Sequence, residues 1–124
     1  MKLTLLAEHY AVCRLPADAS VPVIASPAFL SITWTADELS FVCLESAVPE
    51  SATHCEAGWR ILKVAGPLDF SLVGILASIV QPLANAGVSI FTISTFDTDY
   101  VLIPEQSLAA ATQALESDGH YIET

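Results

Sequence analysis

The sequence predicts an α+β protein built from two βαββαβ units in tandem, the first of them degenerate. Three observations lead there. The second half alternates β-rich apolar runs with two amphipathic stretches in the order β, α, β, β, α, β. A strand–turn–strand block at 31–45 recurs sixty residues later at 91–105. The chain has 124 residues, 53% hydrophobic and 15% charged, which suits one compact domain or two very small ones and is too apolar for disorder.

The elements follow in order. LTLLAEHYAVCRL (3–15) carries two apolar runs around Glu8-His9 and reads as a hairpin or one bent strand, ended by Pro16. Pro22 and Pro27 forbid a long helix over 17–27. FLSITW (29–34) and SFVCLE (40–45) are rich in β-formers and should form a hairpin around Ala36, Asp37 and Glu38. The polar stretch 47–58 reads as a loop or short helix, and WRILKVAG (59–66) returns to strand.

The strongest helix is expected over 70–86. Leu72, Ile75, Leu76, Ile79, Val80 and Leu83 fall at helical spacing, Asp69 or Ser71 offers a capping oxygen, and Gly87 can take the left-handed stop. Pro82 should kink or loosen its last turns. Strands at 88–95 and 99–104 flank a turn at 94–99. A second helix spans 107–118, with Ser107 as cap and Gly119 as stop, and HYIE (120–123) adds a terminal strand. This is the ferredoxin-like order, an antiparallel sheet with both helices on one face.

The internal echo supplies the first unit. SITWTADELSFVCLE falls on FTISTFDTDYVLIPE, so that Thr35 meets Thr95, Asp37 meets Asp97 and Glu45 meets Glu105. The first copy has only short, proline-broken segments where the second has helices. The boundaries are therefore 1–60 for a degenerate unit and 61–124 for a full one, the strand at 59–65 linking the two.

Composition narrows the function. Fourteen acidic and four basic residues give a net charge of −10, without the basic stripe that nucleic acid or an anionic membrane requires. No apolar run is long enough to span a bilayer. The N-terminal stretch lacks an apolar signal-peptide core, so the cytoplasm is the expected location. Cys13, Cys43 and Cys55 form no CxxC and read as reduced thiols, two as small core residues and one in a loop. His9, His54 and His120 show no ligand spacing. No nucleophile elbow, P-loop or zinc-protease motif occurs, so no enzyme and no cofactor is expected.

GPLDFSLVGILASIVQPLANAGVSIFTISTFDTDYVLIPE (66–105) resembles the ACT domain, in particular the small bacterial tandem-ACT proteins related to the arginine-sensing CASTOR proteins. The shared elements are GPLDF before the helix, the PLAxAGVSIF junction after it, and ISTFDTDYVL in the hairpin. The resemblance implies a regulatory sensor that binds an amino acid, a basic one among the candidates, where the strand-to-helix loop meets the hairpin turn. It places Gly66, Leu68, Asp69 and Leu72 on the loop side and Thr95, Phe96, Asp97 and Asp99 on the hairpin side. Asp69 and Asp99 stand where the arginine sensors set acids against a cationic ligand. With two units in place of the sensors' four, a two-sided site implies a homodimer.

Elementary chemistry agrees with that location. A loop entering a helix presents free N–H groups to a carboxylate, and nearby carboxylates suit an ammonium or guanidinium. Other readings stay open from residues alone. Asp97 and Asp99 are a solvated turn pair, a DxD metal site, or ligand contacts, of which Asp99 is the sharper candidate. Asp69 is a helix cap, a ligand contact, or both. Phe96 is a core or hinge residue, or a wall for the ligand. The alternative function is a protein-association module with a degenerate ligand site.

Overall fold

A computed structural model describes residues 1–21, 24, 28–67 and 73–124. The chain divides into two compact units, Glu8–Trp59 and the pairing of Met1–Ala7 with Arg60–Thr124. The strands are β1 (Lys2–Leu5), β2 (Tyr10–Leu15), β3 (Ser31–Trp34), β4 (Leu39–Leu44), β5 (His54–Val64), β6 (Phe91–Ser94), β7 (Asp99–Pro104) and β8 (Tyr121–Glu123), and the helices are α1 (Ile75–Asn85) and α2 (Leu108–Ser117). The residue-sixty division crosses β5, which lends its first part to one unit and its last part to the other.

In the unit of Met1–Ala7 and Arg60–Thr124 the strand order is β8-β1-β5-β7-β6. The β5-α1-β6-β7-α2-β8 sequence is the expected βαββαβ. One feature departs from the plain plan. β1 lies between β5 and β8, antiparallel to the first and parallel to the second. Residues 1–7, assigned above to the first unit, are thus held by the second. Leu3 pairs with Val64 and with Ile122 and is fully buried, and Lys2 pairs with Glu123 at 2.9 Å.

Both helices cover one face of this sheet. Ile79 and Leu83 of α1 and Ala111 and Leu115 of α2 share a core with Leu3, Leu62, Val64, Val101 and Ile103. The strand members alternate in sequence, as one face of a pleated strand demands. Each buried aliphatic side chain contributes about 1.5–3 kcal/mol by leaving water. Both helices end in the same way. Gly87 and Gly119 take positive φ, and Val88 and His120 return their N–H groups to Leu83 and Leu115. That double turn-back satisfies carbonyls the helix end would orphan.

The helix starts are less legible. α1 begins at Ile75 after Gly74, which has φ +79°, and not at 70. The proposed caps Asp69 and Ser71 and the first apolar contact Leu72 lie outside the described residues. α1 continues through Pro82 to Asn85. Ser107 does occupy the N-cap position of α2 but makes no side-chain capping bond, because a 3-10 turn over Glu105–Ser107 leads directly into the helix.

In the unit Glu8–Trp59 the order is β3-β4-β2-β5. Ala11, Cys13, Leu15, Leu39, Phe41 and Cys43 form its core, again alternate residues of paired strands. Among its described residues only the 3-10 turn Glu45–Ala47 is helical, in keeping with a degenerate copy. β1 and β2 form no hairpin with each other; each pairs antiparallel with β5. β5 starts at His54, where a loop or short helix was expected. Gly58 disguised it. Between the pairs Tyr10–Trp59 and Val12–Glu56 the register slips by one residue, and Gly58 sits in that bulge with φ +81°. A glycine at such a bulge interrupts the pattern of a strand without ending it.

Candidate functional site

The sixty-residue echo is structural. β3 and β6, β4 and β7, and the following 3-10 turns coincide residue for residue under the shift. The turns are closed by the same bonds. Thr95 N donates to Thr98 O at 2.8 Å, Thr95 Oγ1 donates to the same oxygen at 3.1 Å, and Thr98 N donates back to Thr95 Oγ1 at 3.3 Å. In the first copy Thr35 N donates to Glu38 O at 2.9 Å, and Glu38 N donates to Thr35 Oγ1 at 3.2 Å. A threonine in this place offers its hydroxyl to the turn as a backbone group would. The Thr95 hydroxyl is therefore occupied in shaping the turn.

The second copy adds a tether. Thr98 is buried, and its Oγ1 donates to the main-chain oxygen of Val64 at 2.7 Å. That bond pins the hairpin turn to the end of β5, where the loop toward α1 begins. Gly66 is the next contact. A Cβ built on it would stand 2.9 Å from Thr98 Cβ, closer than real side chains approach, and 3.1 Å from Asp97 O, tighter than most do. Glycine is what allows the loop to lie against the turn. The peptide bond from Gly66 to Pro67 is cis. Loop and turn, thirty-one residues apart from Gly66 to Asp97, thus meet at Gly66, Asp97 and Thr98.

The two acids part company. Asp99 opens β7 directly opposite Ser94, whose Oγ donates to its Oδ1. Asp97 lies in the turn, exposed, before β7 begins. Strand alternation accordingly does not reach back to it, and no strand face is shared by the pair. Among the described residues no group of three or more His, Cys, Asp or Glu is placed to hold a metal ion. Phe96, at the tip, is 80% exposed and so is no core residue. Leu68, Asp69 and Leu72 lie outside the described residues.

Two residues were missed by sequence reasoning. Thr98 gave no signal, since its counterpart Glu38 shares neither its size nor its burial. Ser94 did give one. In the first copy the pair opposite each other is Trp34 and Leu39; in the second it is Ser94 and Asp99. Both members of one cross-strand pair change from apolar to polar together, so that the second copy has a side-chain hydrogen bond where the first has an apolar pair.

Residues 54–117, which include Gly66 and the whole hairpin, match the family model of the ACT domain. The chain belongs to the ACT-domain family. A second family model, for an N-terminal domain, matches residues 8–51. Over 59 residues the chain is 41% identical to the cytosolic arginine sensor for mTORC1 subunit 1 of Homo sapiens, covering 47% of this chain and 18% of that protein. The chain therefore spans less than a fifth of the length of that relative. The fold is similar to the crystal structure of Atu0741 from Agrobacterium tumefaciens, with a TM-score of 0.91 and 36% identity over 98% of this chain and 91% of that one. It is also similar in fold to the regulatory subunit of aspartate kinase from Thermus thermophilus, with a TM-score of 0.63 at 12% identity, over 94% and 96% of the two chains. No helix among the described residues of this ACT protein is long and apolar enough to cross a membrane.

Proposed function

We propose that this ACT protein is a cytoplasmic regulatory sensor that binds a free amino acid between the 66–72 loop and the 94–99 turn, and has no chemistry of its own. The observation that carries the reading is the close approach of Gly66 to Asp97 and Thr98, which builds a fixed corner where the family resemblance places the ligand. The turn that forms one side of the corner carries two carboxylates, Asp97 and Asp99, and the exposed ring of Phe96. An ammonium or guanidinium group finds charge-assisted acceptors there; the family resemblance would add Asp69 as a third acid. The relative named as an arginine sensor supports a basic amino acid. A homodimer would supply the second wall of the site.

Thermal denaturation with each common amino acid at millimolar concentration tests the proposal, because a ligand that binds only the folded state raises its stability. A rise with one amino acid, lost in Asp99→Ala, is expected. The absence of any rise in a verified ligand-free dimer, together with capture of a partner protein that amino acids leave undisturbed, would favour the association module instead.

A further inference from the structure

All three cysteines of the chain lie in the unit Glu8–Trp59, and the strand register brings them to one sheet face. Cys13 on β2 stands directly opposite Cys55 on β5. Cys43 on β4 stands opposite Ala11, two residues along β2 from Cys13. Cys13 and Cys43 are buried, whereas Cys55 is exposed. Burial, and after it a hydrogen bond with the Cys55 thiol, pushes the Cys13 thiol up. Burial, and after it the nearby Cys55, does the same for Cys43.

Register selects one pair from the three. Directly opposed residues of antiparallel strands have Cα atoms about 4.5–5.5 Å apart, inside the window of about 4.4–6.8 Å that a disulfide spans. Cys43 is diagonal to Cys13, at the roughly 7–8 Å typical of such neighbours, which a disulfide does not bridge without moving backbone. Cys43 and Cys55 are separated by the whole of β2, about 9.5 Å at the usual strand spacing. Access then assigns the roles. A soluble oxidant reaches Cys55 and not Cys13, and the attacking species is the thiolate of the accessible cysteine.

We propose that Cys13 and Cys55 are an oxidisable pair, with Cys55 the site of reaction with a hydroperoxide and Cys13 the resolving thiol that closes a β2–β5 disulfide. The Cys55 thiolate attacks one peroxide oxygen. The O–O bond breaks, the leaving oxygen departs as an alcohol, or as water when the oxidant is hydrogen peroxide, and Cys55 becomes a sulfenic acid. The Cys13 sulfur then attacks the Cys55 sulfur. The S–S bond forms, the S–O bond breaks, and the hydroxyl leaves with the Cys13 proton as water. The two thiols lose two electrons and the peroxide gains them. The product removes a buried thiol from the core and ties β5 covalently to β2. Nothing in this device depends on the amino-acid site.

The experiment treats the reduced full chain with hydrogen peroxide, alkylates the remaining thiols and reads intact mass and cross-linked peptides. The expected result is a loss of about 2 Da, a Cys13–Cys55 linked peptide, alkylation of Cys43 alone, and full reversal by dithiothreitol. Cys55→Ser and Cys13→Ala should each abolish the link, while Cys43→Ala should keep it. In Cys13→Ala, whose fold is checked by circular dichroism, Cys55 should instead gain about 16 Da or more, because no thiol resolves the sulfenic acid. Wild-type protein that gains oxygen at Cys55 without cross-linking would overturn the proposal. So would a link that survives Cys13→Ala, or one found only between two chains.

Discussion

His120 donates from Nε2 to the main-chain oxygen of Ser78 at 2.9 Å, and Ser78 stands four residues before Pro82. Proline has no N–H to return to that carbonyl, so α1 leaves it without its intrahelical donor. The imidazole replaces the missing donor, and its Nδ1 lies 3.2 Å from the Met1 amine. His120 is itself buried, just beyond the Gly119 stop of α2, and thereby joins the two helices. His120→Ala should cost about 1–2 kcal/mol in urea unfolding. Pro82→Ala gives the helix back its own donor, so the cost of His120→Ala should shrink in that background. Equal costs in both backgrounds would mean that the Ser78 bond contributes nothing to stability.

Gly66→Ala should destabilise by about 1–3 kcal/mol, because a methyl group must displace the Thr98 side chain or the Asp97 carbonyl. The loss will appear as a lower thermal midpoint. If the corner binds an amino acid, the stabilisation by ligand should disappear with it.

Thr98→Val keeps the shape of the side chain and removes its hydroxyl. The buried oxygen of Val64 then loses its donor, and the turn its tether to β5. A cost of about 1–3 kcal/mol is expected in chemical denaturation. Thr98→Ser should recover most of it.

Asp97 and Asp99 should differ in their response to substitution. Asp97→Ala, at an exposed turn position, should change stability by less than about 0.5 kcal/mol. Asp99→Asn keeps a partner for Ser94 and removes the charge, so it should weaken binding of a cationic amino acid while leaving the thermal midpoint of the free protein nearly unchanged. Calorimetric titration distinguishes the two acids.

Stability should fall above pH 9 in the presence of a reductant. Burial raises the Cys13 and Cys43 thiols above their ordinary value of 9.0. Past that value the unfolded thiols release protons that the folded ones retain, so the unfolded state binds fewer protons and gains on the folded state. Each thiol contributes a slope of up to about 1.4 kcal/mol per pH unit. Unfolding free energies measured for Cys43→Ala should fall less steeply over the same range than those of the wild type.

Sequence periodicity located what local physics governs. The stops at Gly87 and Gly119 were legible because a left-handed residue after an apolar periodic run is a local requirement. The hairpins were legible twice over, since the threonine turn and the alternating strands repeat after sixty residues. The start of β5 was not legible, because the bulge at Gly58 is defined by the strand across from it. The start of α1 after Gly74 was equally hidden behind apolar residues that fit a helix.

By itself the sequence determined the α+β class, the order of elements, the repeat and the family, all of which rest on spacing along the chain. Tertiary structure decided which distant groups meet. It set β1 between β5 and β8, Thr98 against Val64, His120 beneath the carbonyl that Pro82 leaves open, and Cys13 opposite Cys55. Each is a contact between residues far apart in sequence. No local propensity encodes such a contact; it exists only once strand register and core packing have fixed both partners in place.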